Sequence, residues 1–283
     1  MFSPPTKQEV LYIEEIYIWL SMIEDLTYSE YKKMLENFGS LELIYKISKT
    51  SFLFSKYLED FKINLSQKVY NQITNFNLKE NSNEIYNFLK NSEIDIIVLE
   101  NKFLEILPLV VFLKGNKNIL NESKKIFILK NKDTNKRIQY IKFSNYLKEI
   151  KKYEIIFESD IQVKGDNNKK IIVLNSKLNK EKIKEIQNTK LCDSLILFSI
   201  KNITQSNLEK FNMHLIALIT KTVIVLESRY NPINVNFVDE VLNYGKDVYV
   251  VPQSIEQKSN FFSNYLIKSG ADIIISIKDL DNI

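Results

Sequence analysis

The side chains that could do chemistry in this chain are few and lie far apart. His214 is the one histidine among 283 residues and sits inside an apolar run, Met213 to Ile219. No second histidine and no cysteine stands at a metal-ligand spacing from it, so a packed side chain is the expectation. Cys192, the one cysteine, precedes Asp193 and has no histidine in a motif around it; it reads as a structural thiol. Glu227 closes the apolar run Thr222-Val-Ile-Val-Leu-Glu227, a place where catalytic acids can sit. No paired carboxylate with a plausible nucleophile and no Ser-His-Asp arrangement accompanies it. The chain therefore reads as a non-enzyme, with no metal site and no cofactor.

Anion binding is the next chemistry to weigh. Only five glycines occur, Gly39, Gly115, Gly165, Gly245 and Gly270. Loops that cradle phosphate with backbone N–H groups need glycine, because a Cβ blocks close approach. Neither G-x-G-x-x-G nor G-x-x-x-x-G-K-[ST] is present, which argues against classical nucleotide binding. Of 39 basic residues only Arg137 and Arg229 are arginine, and the net charge is +4. Lysine is a point charge without the planar fork that grips phosphate bidentately, so any anion site here is looser than an arginine site.

The elements that would position such residues follow from the apolar spacing. A length of 283 residues with 45% hydrophobic and 26% charged side chains fits one or two globular domains. The longest apolar stretch, Ile106 to Leu113, falls short of the roughly 20 residues of a membrane span. No secretory signal pattern opens the sequence, and a lone cysteine makes the cytoplasm the expected compartment. Residues 1–76 read as a small helical domain: Ile13, Ile16, Tyr17, Leu20 and Ile23 recur at helical spacing. Ser29 is the expected cap of a helix that ends at Gly39, and Ser40 starts another. The polar run Asn77 to Asn83 reads as a linker, and 84–283 as the second domain. Strands are expected at 95–99, 125–129, 154–157, 171–174 and 195–198, with helices at 140–150, 180–188 and 208–219. In the last quarter, short β-branched runs alternate with stretches long enough for one helix each, which puts three strands parallel in one sheet. The fold class is α/β: a Rossmann-like, mostly parallel sheet with helices on both faces.

The last quarter also carries a family likeness. The run "VIVLES…NYGKDVYVVPQSI…NYLIKSGADIIISIKDL" extends without a gap over about sixty residues. It resembles the C-terminal half of the Rossmann-like domain of the bacterial DNA-processing protein DprA (Smf) family. Pro108-Leu-Val-Val-Phe-Leu-Lys-Gly115-Asn116 is similar to the segment that leads into that domain. Residues 1–76 resemble the family's small all-α domain, of SAM or helix-hairpin-helix type, with Glu24-Asp-Leu-Thr27 standing where a Gly-rich hairpin is usual. The resemblance implies single-stranded DNA binding, loading of a RecA-type recombinase, a role in DNA uptake and natural transformation, and a homodimer without membrane attachment. Members often carry a winged-helix domain after the Rossmann-like part; none is expected here.

Against the family pattern the anion-binding turns are depleted. The Gly-Ser-Arg after the first main strand corresponds to Lys130-Asn-Lys132. The next strand end, usually Gly-rich, reads Glu158-Ser-Asp160, and the third reads Leu174-Asn-Ser-Lys177. An Arg-Asn motif falls near Lys210-Phe-Asn212, and "VPGS" is Val251-Pro-Gln-Ser254. The resemblance thus implies a DNA-binding set of Lys130, Lys132, Lys164, Lys210, Arg229 and Tyr230, with Glu158 and Asp160 repelling phosphate from part of the groove. Bases need aromatic platforms; Tyr230 beside Arg229 is the candidate, while Phe157 and Phe211 read as packing residues. The dimer interface implied is Asn264, Leu266 and Ile273. The competing expectation is a degenerate scaffold that keeps the dimerising fold and no DNA contact. An enzyme of the lysine-decarboxylase-like Rossmann group would need a Gly-Gly-Gly-x-Gly-Thr loop, which the sequence lacks.

Overall fold

The structure, a computed structural model, describes residues 7–99, 109–131, 138–158, 169–174, 184–186, 188, 194–198, 205–254 and 261–283. The chain divides into two units, residues 1–113 with 199–203, and residues 114–198 with 204–283.

The first unit is built on α1 (Lys7–Met22), α2 (Tyr28–Phe38), α3 (Leu41–Ile47), α4 (Ser51–Asp60), α5 (Gln67–Ile73) and α6 (Phe76–Asn91). After them β1 (Asp95–Leu99) pairs antiparallel with β2 (Leu109–Gly115). The helix starts are written in hydroxyl and amide caps. Thr27, not Ser29, caps α2: its hydroxyl accepts from the Glu30 N–H at 3.2 Å, and the Glu30 carboxylate accepts from the Thr27 N–H at 2.9 Å. This capping box satisfies two of the N–H groups that a helix start leaves unpaired, a pairing Ser29 could not make because Lys32 stands three residues after it. Gly39, at φ 84°, ends the helix, and Ser40 caps α3. The turn Glu24-Asp-Leu-Thr27 is tied to α5: the Glu24 N–H donates to Gln72 at 2.8 Å, and Lys68 bridges Glu24 and Asp25 at 3.0 and 2.7 Å.

The run 77–83 is no linker; it forms the first half of α6. Its polar look hides two buried positions, Lys79 and Ser82. The Ser82 hydroxyl donates to the Lys79 carbonyl at 2.7 Å, and the Lys79 ammonium donates to the Ser48 hydroxyl at 2.8 Å. Around them Trp19, Met34, Phe54 and Ile73 form an aromatic-rich core, with Trp19 edge-on to Tyr45 at 5.0 Å.

The second unit carries the parallel sheet: β3 (Lys125–Lys130), β4 (Tyr153–Glu158), β5 (Lys170–Leu174), β6 (Ser194–Phe198), β7 (Thr222–Glu227), β8 (Asp247–Val250) and β9 (Asp272–Ile273). Their spatial order is β6-β5-β4-β3-β7-β8-β9, and the pairs are parallel. The described helices are α7 (Ile138–Glu149), α8 (Gln205–Ile219), α9 (Pro232–Asn243) and α10 (Phe261–Lys268). All six residues of β7 are buried, as a strand covered on both faces must be. Alternation along β3 assigns the layers. Ile126 and Ile128 pack with Phe143 and Leu147 of α7, while Phe127 points the other way, edge-on to Phe237 of α9 at 5.4 Å. Helices therefore cover both faces, and the strands lie where the apolar runs put them.

Buried Lys79 gives a test of the first core. Its ammonium lies 5.6 Å above the Trp19 ring and 5.2 Å above the Tyr45 ring, contacts that favour the cation. Burial outweighs them and, with help from nearby Lys49, pushes the ammonium down from 10.5 to about 8. Between those values the unfolded chain holds the extra proton, so stability rises with pH. Lys79→Met is expected to stabilise this unit by roughly 1–3 kcal/mol at pH 7, an advantage that shrinks as pH approaches 10. Urea melts followed by the fluorescence of Trp19, the single tryptophan, measure this; a pH-independent gap would contradict it.

Candidate functional site

From β3 the chain steps outward one way through β4, β5 and β6, and β7, β8 and β9 lie on the other side. The direction of winding reverses between β3 and β7. In an open parallel sheet such a reversal leaves a crevice beyond the carboxyl ends of the two strands, because the following helices leave on opposite faces. Here it lies past Lys130 of β3 and Glu227 of β7.

The crevice floor is a side-chain-braced turn. The register of β3 on β7 slips between Leu129 and Lys130, a bulge of the kind that re-aims strand ends. The Asn131 N–H then donates to the Glu227 carbonyl at 2.7 Å. The Asn131 side-chain oxygen accepts from the Arg229 N–H at 3.1 Å. From the other side, Asn234 in the first turn of α9 donates its amide to the Ser228 hydroxyl at 2.7 Å and the Arg229 carbonyl at 2.8 Å. Asn231 caps α9 by accepting from the Asn234 N–H at 2.8 Å. The residues between these anchors, Arg229 and Tyr230, are exposed.

Next to this turn β8 is followed by Val251-Pro-Gln253-Ser254. Gln253 is clamped to α10: its N–H donates to the Asn264 side-chain oxygen at 3.1 Å, and the Asn264 amide returns a bond to the Gln253 carbonyl at 3.0 Å. The Gln253 amide reaches back to the carbonyls of Leu226 and Val251 at 2.5 and 3.2 Å. Three backbone N–H groups around this edge, those of Arg229 and Gln253 after the strands and Asn234 in the first turn of α9, are thus bonded to side chains of the protein itself.

The residues expected at the site distribute unevenly. Lys130 stands at the crevice, its ammonium 3.3 Å from the centre of the Tyr140 ring; the Tyr140 hydroxyl donates to buried Glu154 at 2.7 Å. Arg229 and Tyr230 join it through Asn131. Lys210 is exposed on α8. Its near neighbour Asn212 is buried and donates to the Leu174 carbonyl at the end of β5, at 3.1 Å. That places α8 two strands from β3 on the β6 side of the reversal. Glu158 ends β4. Lys132, Lys164 and Asp160 fall outside the described residues. Phe157 and Phe211 are half-buried. Of the interface set, Asn264 holds Gln253, Leu266 is buried at 8% exposure, and Ile273 is 44% exposed on the edge strand.

Sequence reasoning did not single out Asn131 or Gln253 as side chains that hold this edge, nor Phe261 and Tyr265. Tyr230 meets three rings edge-on: Phe261 at 6.2 Å, Phe262 at 5.9 Å and Tyr265 at 5.6 Å. An asparagine at a strand end and one at N3 of a Pro-started helix are signals for a braced turn; nothing in the sequence marks which aromatic of α10 faces out. His214 is paired through Nδ1 with Glu240 of α9. Among the described residues no group of His, Cys, Asp and Glu could hold a metal ion, and no helix is long and apolar enough to cross a membrane.

Because Asn264 satisfies both the N–H and the carbonyl of Gln253, Asn264→Ala is expected to cost about 1–3 kcal/mol. Urea denaturation followed by far-UV circular dichroism tests this. An unchanged midpoint would show that the clamp contributes nothing.

Residues 167–282 match the model of the DNA recombination-mediator protein A family. Among solved structures, the chain is similar to DNA processing protein A from Streptococcus pneumoniae, at 17% identity and a TM-score of 0.50, over 85% of this chain and 95% of that one. It is also similar to DNA processing protein A from Helicobacter pylori, whose single-stranded DNA binding mode has been described, at 18% identity and a TM-score of 0.49, over 68% of this chain and 96% of that one. No curated protein matches the sequence. The Streptococcus likeness bears on fold, and the family match covers the segment from β5 to the carboxyl end. Over residues 167–282, the chain is similar to the DNA recombination-mediator protein A family.

Proposed function

We propose that the crevice between β3 and β7 binds single-stranded DNA and that the protein acts as a recombination mediator, handing the strand to a RecA-type recombinase during DNA uptake. The observation that carries this reading is the braced turn that presents Arg229 and Tyr230, a cation and a ring side by side, at the winding reversal of the sheet. Single strands are held by that combination, a basic track for the phosphates and rings for the bases. The family match supports the assignment to recombination. A cytoplasmic, non-enzymatic homodimer is the form in which we expect it to act, with Ile273 on the exposed sheet edge available to a second copy.

The internal bonding of the loop N–H groups shapes the mode of binding. Where backbone donors are already satisfied, phosphate must be held by side-chain cations, here mostly lysines. That binding is loose and strongly salt-dependent. The same feature favours a second reading, a scaffold that keeps the dimerising fold and no longer holds DNA.

Fluorescence anisotropy with a labelled oligo-dT separates the two. For three to five cations the affinity should fall with salt at a logarithmic slope of about −2 to −3.5. Arg229→Ala should weaken binding and reduce that slope by about 0.7. Absence of binding at low salt, with a dimeric mass by light scattering, would favour the scaffold. Delivery to a recombinase is tested by whether the protein speeds RecA assembly on strand coated with single-strand-binding protein; no acceleration would remove that step from the proposal.

A further inference from the structure

Resting on the DNA-binding reading, the geometry points to Phe261 and Tyr265 of α10 as base-stacking residues that continue the platform begun by Tyr230. Three large rings stand open to solvent in one place: Tyr230 is 55% exposed, Phe261 60% and Tyr265 41%. They are not scattered surface apolars. Tyr230 touches both others, and Phe261 and Tyr265 lie 6.2 Å apart at a tilt of 32°. Beneath them Phe262 is fully buried and also meets Tyr230, so the group is anchored from below. A side chain with two χ angles held by neighbouring rings loses little entropy when it accepts a flat partner.

The occupant is argued from the surroundings. Exposed rings also serve protein interfaces, but ring faces set beside a cation suit the π-faces and phosphates of an unpaired strand. The cation Arg229 precedes Tyr230 in the same turn. Asn131 ties that turn to the end of β3, where Lys130 stands. A sugar-phosphate chain along Lys130 and Arg229 would carry its bases towards Tyr230, Phe261 and Tyr265. Stacking of this kind is tolerant of sequence and demands unpaired bases, so the site discriminates single strand from duplex without reading base edges. It also supplies binding free energy that does not depend on salt, which a lysine-based phosphate track lacks.

The test compares oligo-dT with an abasic strand of equal length and charge, using the full chain. Wild type should bind oligo-dT more tightly than the abasic strand. Phe261→Ala and Tyr265→Ala should each lower oligo-dT affinity by roughly 5- to 150-fold, leaving abasic affinity and the salt slope unchanged. Tyr265→Phe and Phe261→Tyr, which keep a ring, should retain wild-type affinity and cover the case in which an alanine variant fails to fold. Equal wild-type affinity for the two strands would overturn the stacking role while leaving the phosphate track intact. Parallel loss on both strands, or alanine variants whose only change is a fall in mass from dimer to monomer, would overturn it in favour of an interface between copies. No wild-type binding to either strand would instead defeat the DNA-binding reading on which it rests.

Discussion

The strand-end crevice depends on how β3 is tied to β7 where the sheet changes its direction of winding. Six buried residues of β7 lie against a β3 that is buried through its first five, so neither strand can shift without exposing apolar surface. At their ends the register slips by one residue, and Asn131 closes the gap with its backbone on Glu227 and its side chain on Arg229. A slip in that pairing would move Lys130 away from Arg229 and break the turn that presents Tyr230. Packing in the sheet is thus converted into the placement of a few exposed side chains.

The scarcity of glycine has a specific structural counterpart. A glycine-lined turn leaves its N–H groups open and lets an anion approach. Here Gln253 and its neighbours carry side chains, and Asn131, Asn231 and Asn264 accept from the N–H groups of Arg229, Asn234 and Gln253. These three donors are satisfied internally and are not offered to phosphate. Recognition is left to side chains that project beyond the turns. Cations on flexible stems contribute a term that weakens with salt, and rings contribute one that does not.

Much of the frame was legible in the sequence. Runs such as Ile126-Phe-Ile-Leu129 and Val223-Ile-Val-Leu226 are β-branched or aromatic, short and bounded by polar residues, and they are strands because both faces are covered. Local polarity misled at 77–83, where a helix buries the charged Lys79 against aromatic rings, a choice made by tertiary packing that propensity does not record. The cap at Thr27 turned on a reciprocal pair with Glu30 that competes with the nearby serine. At the site, Arg229 and Tyr230 stood out by type. The roles of Asn131 and Gln253 depend on which strand ends become neighbours, and the exposure of Phe261 and Tyr265 depends on the roll of α10. Spacing alone fixes neither.

The most direct test of where the strand lies is photocrosslinking of the full chain to a single-stranded oligonucleotide carrying bromodeoxyuridine, followed by mass spectrometry of the peptides. Adducts concentrated on Tyr230 and on residues 261–265, and displaced by unlabelled oligo-dT, are the predicted result. Adducts confined to the helices of residues 7–91, or absent from the strand-end crevice altogether, would contradict the account.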